Sequence, residues 1–201
     1  MNEAKIQLSE DEYQLVKNAD WILTKNTIIR KVCEFFGGLA GDMNQAWDGH
    51  RFPEQLGRTR AKISRGENYK GLPYVVLDYP REFKKEDIFA IRTFFWWGNY
   101  FSITLHLKGR YKKEFEENIY RHREMLGAHG FHLSIAEEEW SHELNEEQYL
   151  PLSQTVNKKM ETVLTEKSFL KLSAKMDFHQ WGQAGSWLLH HFDILLQSLE
   201  P

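Results

Sequence analysis

DIFAIRTFFWWGNYFSITLHL, residues 87–107, decides how this chain folds. Two runs of aromatic and β-branched residues flank Gly98-Asn99, and that pattern specifies a β-hairpin. Its register decides what the hairpin is for. A two-residue turn at Gly98-Asn99 sets Trp96 opposite Phe101 and Arg92 opposite Leu105. Arg92 then shares a face with Phe94, Phe101, Ile103 and Leu107, and both faces are largely apolar. A three-residue loop, with Gly98 or Asn99 supplying positive φ, gives a different sheet. Arg92, Phe94, Trp96, Ser102, Thr104 and His106 then share one face, leaving Phe89, Ile91, Phe95, Phe101, Ile103 and Leu105 as a clean core face.

Three uses compete for this much aromatic surface: closing the interior, binding a ligand, or meeting another copy of the chain. A sheet covered on both sides needs apolar residues on both faces, so a plain core explains most of it. Only the second register makes a pocket-like surface, with a cation, an imidazole, two hydroxyls and flat aromatic walls. That mixture suits a small anionic or aromatic ligand. The candidate ligand-binding residues are Arg92, Trp96, Trp97, Tyr100 and His106. Arg92 is the informative one, because an unpaired buried guanidinium costs several kcal/mol. Asp78, at the end of LPYVVLDYP (72–80), is its expected partner.

Outward from the hairpin, the period changes. LPYVVLDYP is a short β-favouring run closed by prolines. Toward the N-terminus, Ser9-Glu10-Asp11-Glu12 is a capping box that opens a short helix. From about 20 to 47 a helical period places Trp21, Ile22, Ile28, Ile29, Val32, Phe36, Leu39, Met43 and Trp47 on one broad arc, with Gly37-Gly38 as a bend or interruption. GGLAGD around it lacks the strand, the Lys-Ser/Thr and the glycine spacing of a nucleotide loop. Toward the C-terminus the pattern predicts a helix over 110–126, an irregular acidic stretch, a helix near 152–164, a strand near 168–176 and a terminal helix over about 183–199. The expected fold is α+β: a small, mostly antiparallel sheet with the aromatic hairpin at its centre, covered by helices, in a single globular domain of 201 residues.

Composition excludes several classes. With 41% apolar and 14% aromatic residues and a formal charge of −3, the chain is not of the disordered type. The single Cys33 rules out a disulfide framework or a cysteine-based zinc site and suits a reducing compartment. No basic leader and no long uncharged apolar run is visible, so the chain is read as cytoplasmic, away from any membrane. Charge is uneven. Arg51, Arg58, Arg60, Lys62, Arg65 and Lys70 form a basic window over 51–70, whereas AEEEWSHELNEEQ (136–148) carries six glutamates and no Lys or Arg. The two are expected to be solvated segments facing one another. Nucleic-acid binding through the basic window is the alternative, and the acidic balance of the whole chain argues against it.

Histidines are the remaining source of chemistry. On the terminal helix His190 and Asp193 share a polar face as an i, i+3 pair, the geometry of an oriented base, while His191 falls in the apolar stripe as a core histidine. His122, His129 and His132 cluster at a helix-to-strand junction, but Gly130 breaks the helical spacing a metal pair needs, so no metal and no cofactor is assigned. The reading adopted is a non-enzymatic module that binds a small molecule or a protein partner through the aromatic hairpin face. A metal- or histidine-dependent hydrolase is the alternative. The wide apolar stripe also allows a homodimer.

Overall fold

The computed structural model describes residues 6–50, 52, 56, 59–155 and 157–201. Seven strands form one antiparallel sheet: β1 (Lys62–Tyr69), β2 (Leu72–Phe83), β3 (Ile88–Trp96), β4 (Tyr100–Lys108), β5 (His132–Ser134), β6 (Tyr149–Pro151) and β7 (Phe169–Asp177), in the spatial order β1-β2-β3-β4-β7-β5-β6. The helices are α1 (Glu10–Lys17), α2 (Ala19–Asp48), α3 (Arg110–Arg121), α4 (Arg123–Ala128), α5 (Asn157–Glu166) and α6 (Ala184–Leu199). The fold is α+β, as expected, with the hairpin β3-β4 near the middle of the sheet.

The hairpin takes the three-residue loop. Trp96 pairs with Tyr100, Arg92 with Thr104 and Ala90 with His106, and Gly98 supplies the positive φ of 72°. Alternation along the strands then sends Phe89, Ile91, Phe95, Phe101, Ile103 and Leu105 to one face, where they join Val32, Phe36, Met43, Phe115, Leu188 and Phe192 of α2, α3 and α6 in the main core. This register wins because it alone gives the helices a continuous apolar sheet to cover, and a shift by one residue would turn every one of those side chains away.

Several expectations need correction. α2 runs without interruption through Gly37 and Gly38. Its burial starts only at Ile29, so Trp21 and Ile22 are exposed rather than part of the core stripe. With Ile6, Leu8, Leu15 and Val16 exposed on and before α1, the N-terminal end is an apolar-studded arm. Its Ser9–Glu12 capping box forms as read: Glu12 Oε2 accepts from Ser9 N–H at 2.7 Å and Ser9 Oγ from Glu12 N–H at 3.3 Å. β2 does not close at Pro80 but continues to Phe83, with a register shift between Asp78 and Arg81. The helix read over 110–126 is two helices that meet at His122, and the one near 152–164 spans 157–166. β1 was legible only as charge: its side chains are exposed or half-buried, as befits a charged edge strand.

Gly109, which leads β4 into α3, has φ 62°, and a Cβ there would lie 2.2 Å from Glu86 O and 2.3 Å from Asp87 Oδ1. Asp87 cannot retreat cheaply, since its Oδ1 accepts the Arg110 N–H at 2.8 Å. Gly109→Ala is therefore expected to cost more than about 3 kcal/mol in urea denaturation. Gly98→Ala, at φ 72° with open space around it, should cost only the left-handed penalty of about 1 kcal/mol. Equal costs would show that the close approach at Gly109 carries no weight.

Candidate functional site

The face of the sheet away from the helices carries the other half of each strand's alternation. One end is a small aromatic cluster of Val76, Phe94 and Trp96, packed by Tyr69, Leu72, Tyr74 and Tyr100. The other end is polar: Asp78, Arg92, Thr104, His106, Lys171 and Ser173. No helix covers it. The acidic stretch 136–148 lies across it as a strap, held mainly by its backbone. Lys167 Nζ donates to Ala136 O at 2.8 Å, Lys171 Nζ to Glu139 O at 2.9 Å and Ser141 O at 2.6 Å, and Lys175 Nζ to Leu144 O at 3.1 Å. Two tyrosines complete the seam. Tyr69 Oη accepts from His142 N–H at 2.7 Å, and Tyr100 Oη donates to His142 O and accepts from Leu144 N–H, each at 3.0 Å. Burial pushes the Tyr100 phenol up to about 12, so it stays a donor. Lys70 of the basic window also reaches Glu143 of the strap at 3.2 Å, so the two charged segments do meet.

Arg92 finds the partner expected of it. Its Nε donates to Asp78 Oδ1 at 2.7 Å and its Nη2 to Asp78 Oδ2 at 3.0 Å, a bidentate pair that crosses directly between β2 and β3. Nη1 lies 3.0 Å from His142 Nε2. A guanidinium has no lone pair to offer, so His142 must accept through Nε2 and carry its proton on Nδ1. Burial, with Lys171 and Arg92 close by, lowers the His142 pKa well below the usual range and keeps that ring neutral. His106 is lowered to about 3 by burial first and by the same cations next. Lys171, 1% exposed, is lowered to about 7, again chiefly by burial.

Beside this pair opens a groove of about 350 Å³ between β1, β2 and Trp140 of the strap. Lys62, Arg81 and Arg92 bring three cations to it, against the single carboxylate of Asp78. Tyr74, Phe83 and Trp140 form its flat walls. Gly66 shapes one of them: a Cβ there would meet the Tyr74 ring at 2.5 Å, so the bare backbone lets that ring lie across β1.

The structure thus places Arg92, Trp96, Tyr100 and His106 on one face, and Trp97 apart from them. Trp97 lies in the turn and packs against Phe95 and the helix-side core. Trp96 is not an open wall. It is 7% exposed, and its Nε1–H donates to Tyr69 O at 3.2 Å. Of the groove residues, Tyr74, Arg81, Phe83 and Trp140 were not singled out from the sequence, and Lys62 was read only as part of the basic window. The strict alternation of FLKLSAKMD does put Lys171, Ser173 and Lys175 on one face, but nothing local says what covers them.

His50, His122, His129, His132 and His191 have structural partners. Asp193 does not orient His190. Its Oδ1 lies 3.1 Å from His50 Nε2 while Glu200 Oε1 lies 2.9 Å from His50 Nδ1, which ties the end of α2 to α6. The long-range pairing wins because His50 reaches both carboxylates at once. His191 is a core histidine whose Nδ1 faces Trp187 O at 2.8 Å and whose Nε2 faces His129 O at 3.1 Å, so the neutral ring donates to one of the two. Nδ1 of His122, His129 and His132 each faces a nearby backbone carbonyl at 2.8–2.9 Å. Among the described residues no group of three His, Cys, Asp or Glu side chains is placed to hold a metal ion, and no helix is long and apolar enough to cross a membrane. Of the basic window, Arg51 and Arg58 fall outside the described residues, while Arg60, Lys62, Arg65 and Lys70 lie on or beside the edge strand β1. No protein-family model, curated protein or solved structure matches this chain.

Proposed function

We propose that this protein binds a small anionic ligand with a flat or aromatic body, in the groove between β1, β2 and Trp140. One observation carries the reading: the groove has three cations and one carboxylate, and both oxygens of that carboxylate are already taken by Arg92. The remaining charge favours an anion. Arg81 is best placed to supply the contact. Its Nε is committed to Arg60 O at 3.1 Å, which fixes the guanidinium while leaving both Nη groups for a carboxylate or phosphate. Trp140, 43% exposed, offers a ring face for stacking.

The test is calorimetric titration with benzoate, indole-3-carboxylate and phenyl phosphate, followed in parallel by tryptophan fluorescence. At least one is expected to bind in the micromolar range. Arg81→Ala should weaken that binding about 20-fold, the worth of one charge-assisted contact near 2 kcal/mol, and leave the melting temperature within about 2 °C. Trp140→Ala should weaken it about fivefold. Absence of binding by all three, or equal affinity in Arg81→Ala, sinks the reading.

A further inference from the structure

A second, enclosed cavity of about 10 Å³ lies between the polar sheet face and the strap, walled chiefly by Arg92, Thr104, His106, His142 and Lys171. That is room for one water-sized occupant. Its surroundings are unbalanced in charge. Asp78 answers Arg92 at 2.7 Å and Glu139 answers Lys108 at 3.1 Å, but no carboxylate of the described residues lies within 4 Å of Lys171. Glu139 and Glu138 act on Lys171 only at longer range. Two of the three ammonium hydrogens of Lys171 go to Glu139 O and Ser141 O, which leaves the third without an acceptor among the described residues. His106 adds an orphan. The residue is 5% exposed, its Nε2 has no hydrogen-bond partner, and Glu139 Oε2 stands off at 3.8 Å.

We infer that this cavity is a site for a single monatomic anion, a halide, held by the third N–H of Lys171 and the Nε2–H of His106. A water molecule could accept from both donors, but below about pH 7, where Lys171 is protonated, it would leave the buried ammonium without a counter-charge, the costlier deficit. A polyatomic oxyanion is too large. The halide balances Lys171 and joins strap to sheet at the point where the strap's backbone is already tied down. Arg92 and Phe83 wall both this cavity and the groove, but the two donors to the ion, Lys171 and His106, do not line the groove, and the site uses neither Arg81 nor Trp140.

The decisive experiment is a crystal of the unaltered protein grown with bromide in place of chloride, with data collected at the bromine absorption edge. An anomalous peak between Lys171 and His106 is the expected result, and a water with no anomalous signal there overturns the assignment. In solution at pH 6, where Lys171 is protonated, replacing sodium gluconate by sodium chloride at constant ionic strength, from about 1 to about 200 mM chloride, should raise the melting temperature by roughly 4 °C. Lys171→Met should abolish that rise, and a rise that persists in the variant overturns the site. If Lys171→Met fails to fold, the bromide crystal decides alone.

Discussion

Asp78→Ala is expected to destabilise the protein by about 3 kcal/mol or more, because it strands the Arg92 guanidinium with only a histidine nitrogen for company. Asp78 is 5% exposed, and it accepts two of the three hydrogen bonds that Arg92 makes, at 2.7 and 3.0 Å. Arg92→Met leaves the opposite orphan, a buried carboxylate, which can escape part of the cost by taking up a proton. The single changes should therefore be unequal, with Asp78→Ala the worse. The double variant Asp78→Ala/Arg92→Met removes both charges, and it should be more stable than Asp78→Ala alone by at least about 1 kcal/mol. Urea denaturation of the four proteins of this cycle measures the coupling. A cost for Asp78→Ala below about 1 kcal/mol, or plain additivity, would show that the pair does not hold β2 to β3.

Acid should unfold this protein well before its carboxylates titrate. His106, His132, His142 and His191 all have lowered pKa values, chiefly from burial, with His106 down to about 3. In the unfolded chain each titrates near 6.5. As pH falls through that value the unfolded state takes up protons that the folded state refuses, so stability is fully present above about pH 6.5 and drains away toward pH 3. At pH 5 His106 alone accounts for a loss of about 2 kcal/mol relative to pH 7.5. Glu12 and Glu82, whose pKa values are lowered, lose their contribution only below about 4.5. Lys171, lowered to about 7, takes up its folded-state proton between pH 7.5 and pH 6 and adds about 1 kcal/mol to the loss, so the His106→Gln difference isolates the histidine's share. Urea titrations at pH 7.5 and pH 5 in halide-free buffer should show the loss, and His106→Gln should recover about 2 kcal/mol of the difference. Flat stability between these pH values would refute the neutral buried histidines.

These two predictions rest on residues of unequal legibility. Asp78 and Arg92 can be paired from sequence, because a lone charge in an apolar strand must be answered by the nearest carboxylate of the neighbouring strand. His142 cannot. It lies 50 residues from Arg92 in a segment with no period, and only the strap's path brings the two together at 3.0 Å. Asp193 shows the same limit from the other side: its helical neighbour His190 was in plain view, yet His50, 143 residues away, is its partner.

By itself the sequence determined the α+β class, the hairpin, the capping box and the Arg92–Asp78 pair, and it narrowed the hairpin's faces to two alternative registers. Each follows from a period of two or 3.6 residues, or from the cost of a buried charge, and both act over short stretches of chain. Tertiary structure alone decided what covers each face. Alternation divides a strand into two sides without saying which side meets helices and which meets a strap. The groove, the enclosed cavity and the depressed pKa of Lys171 all arise from that choice, since burial is a property of what lies above a side chain and not of the chain that carries it.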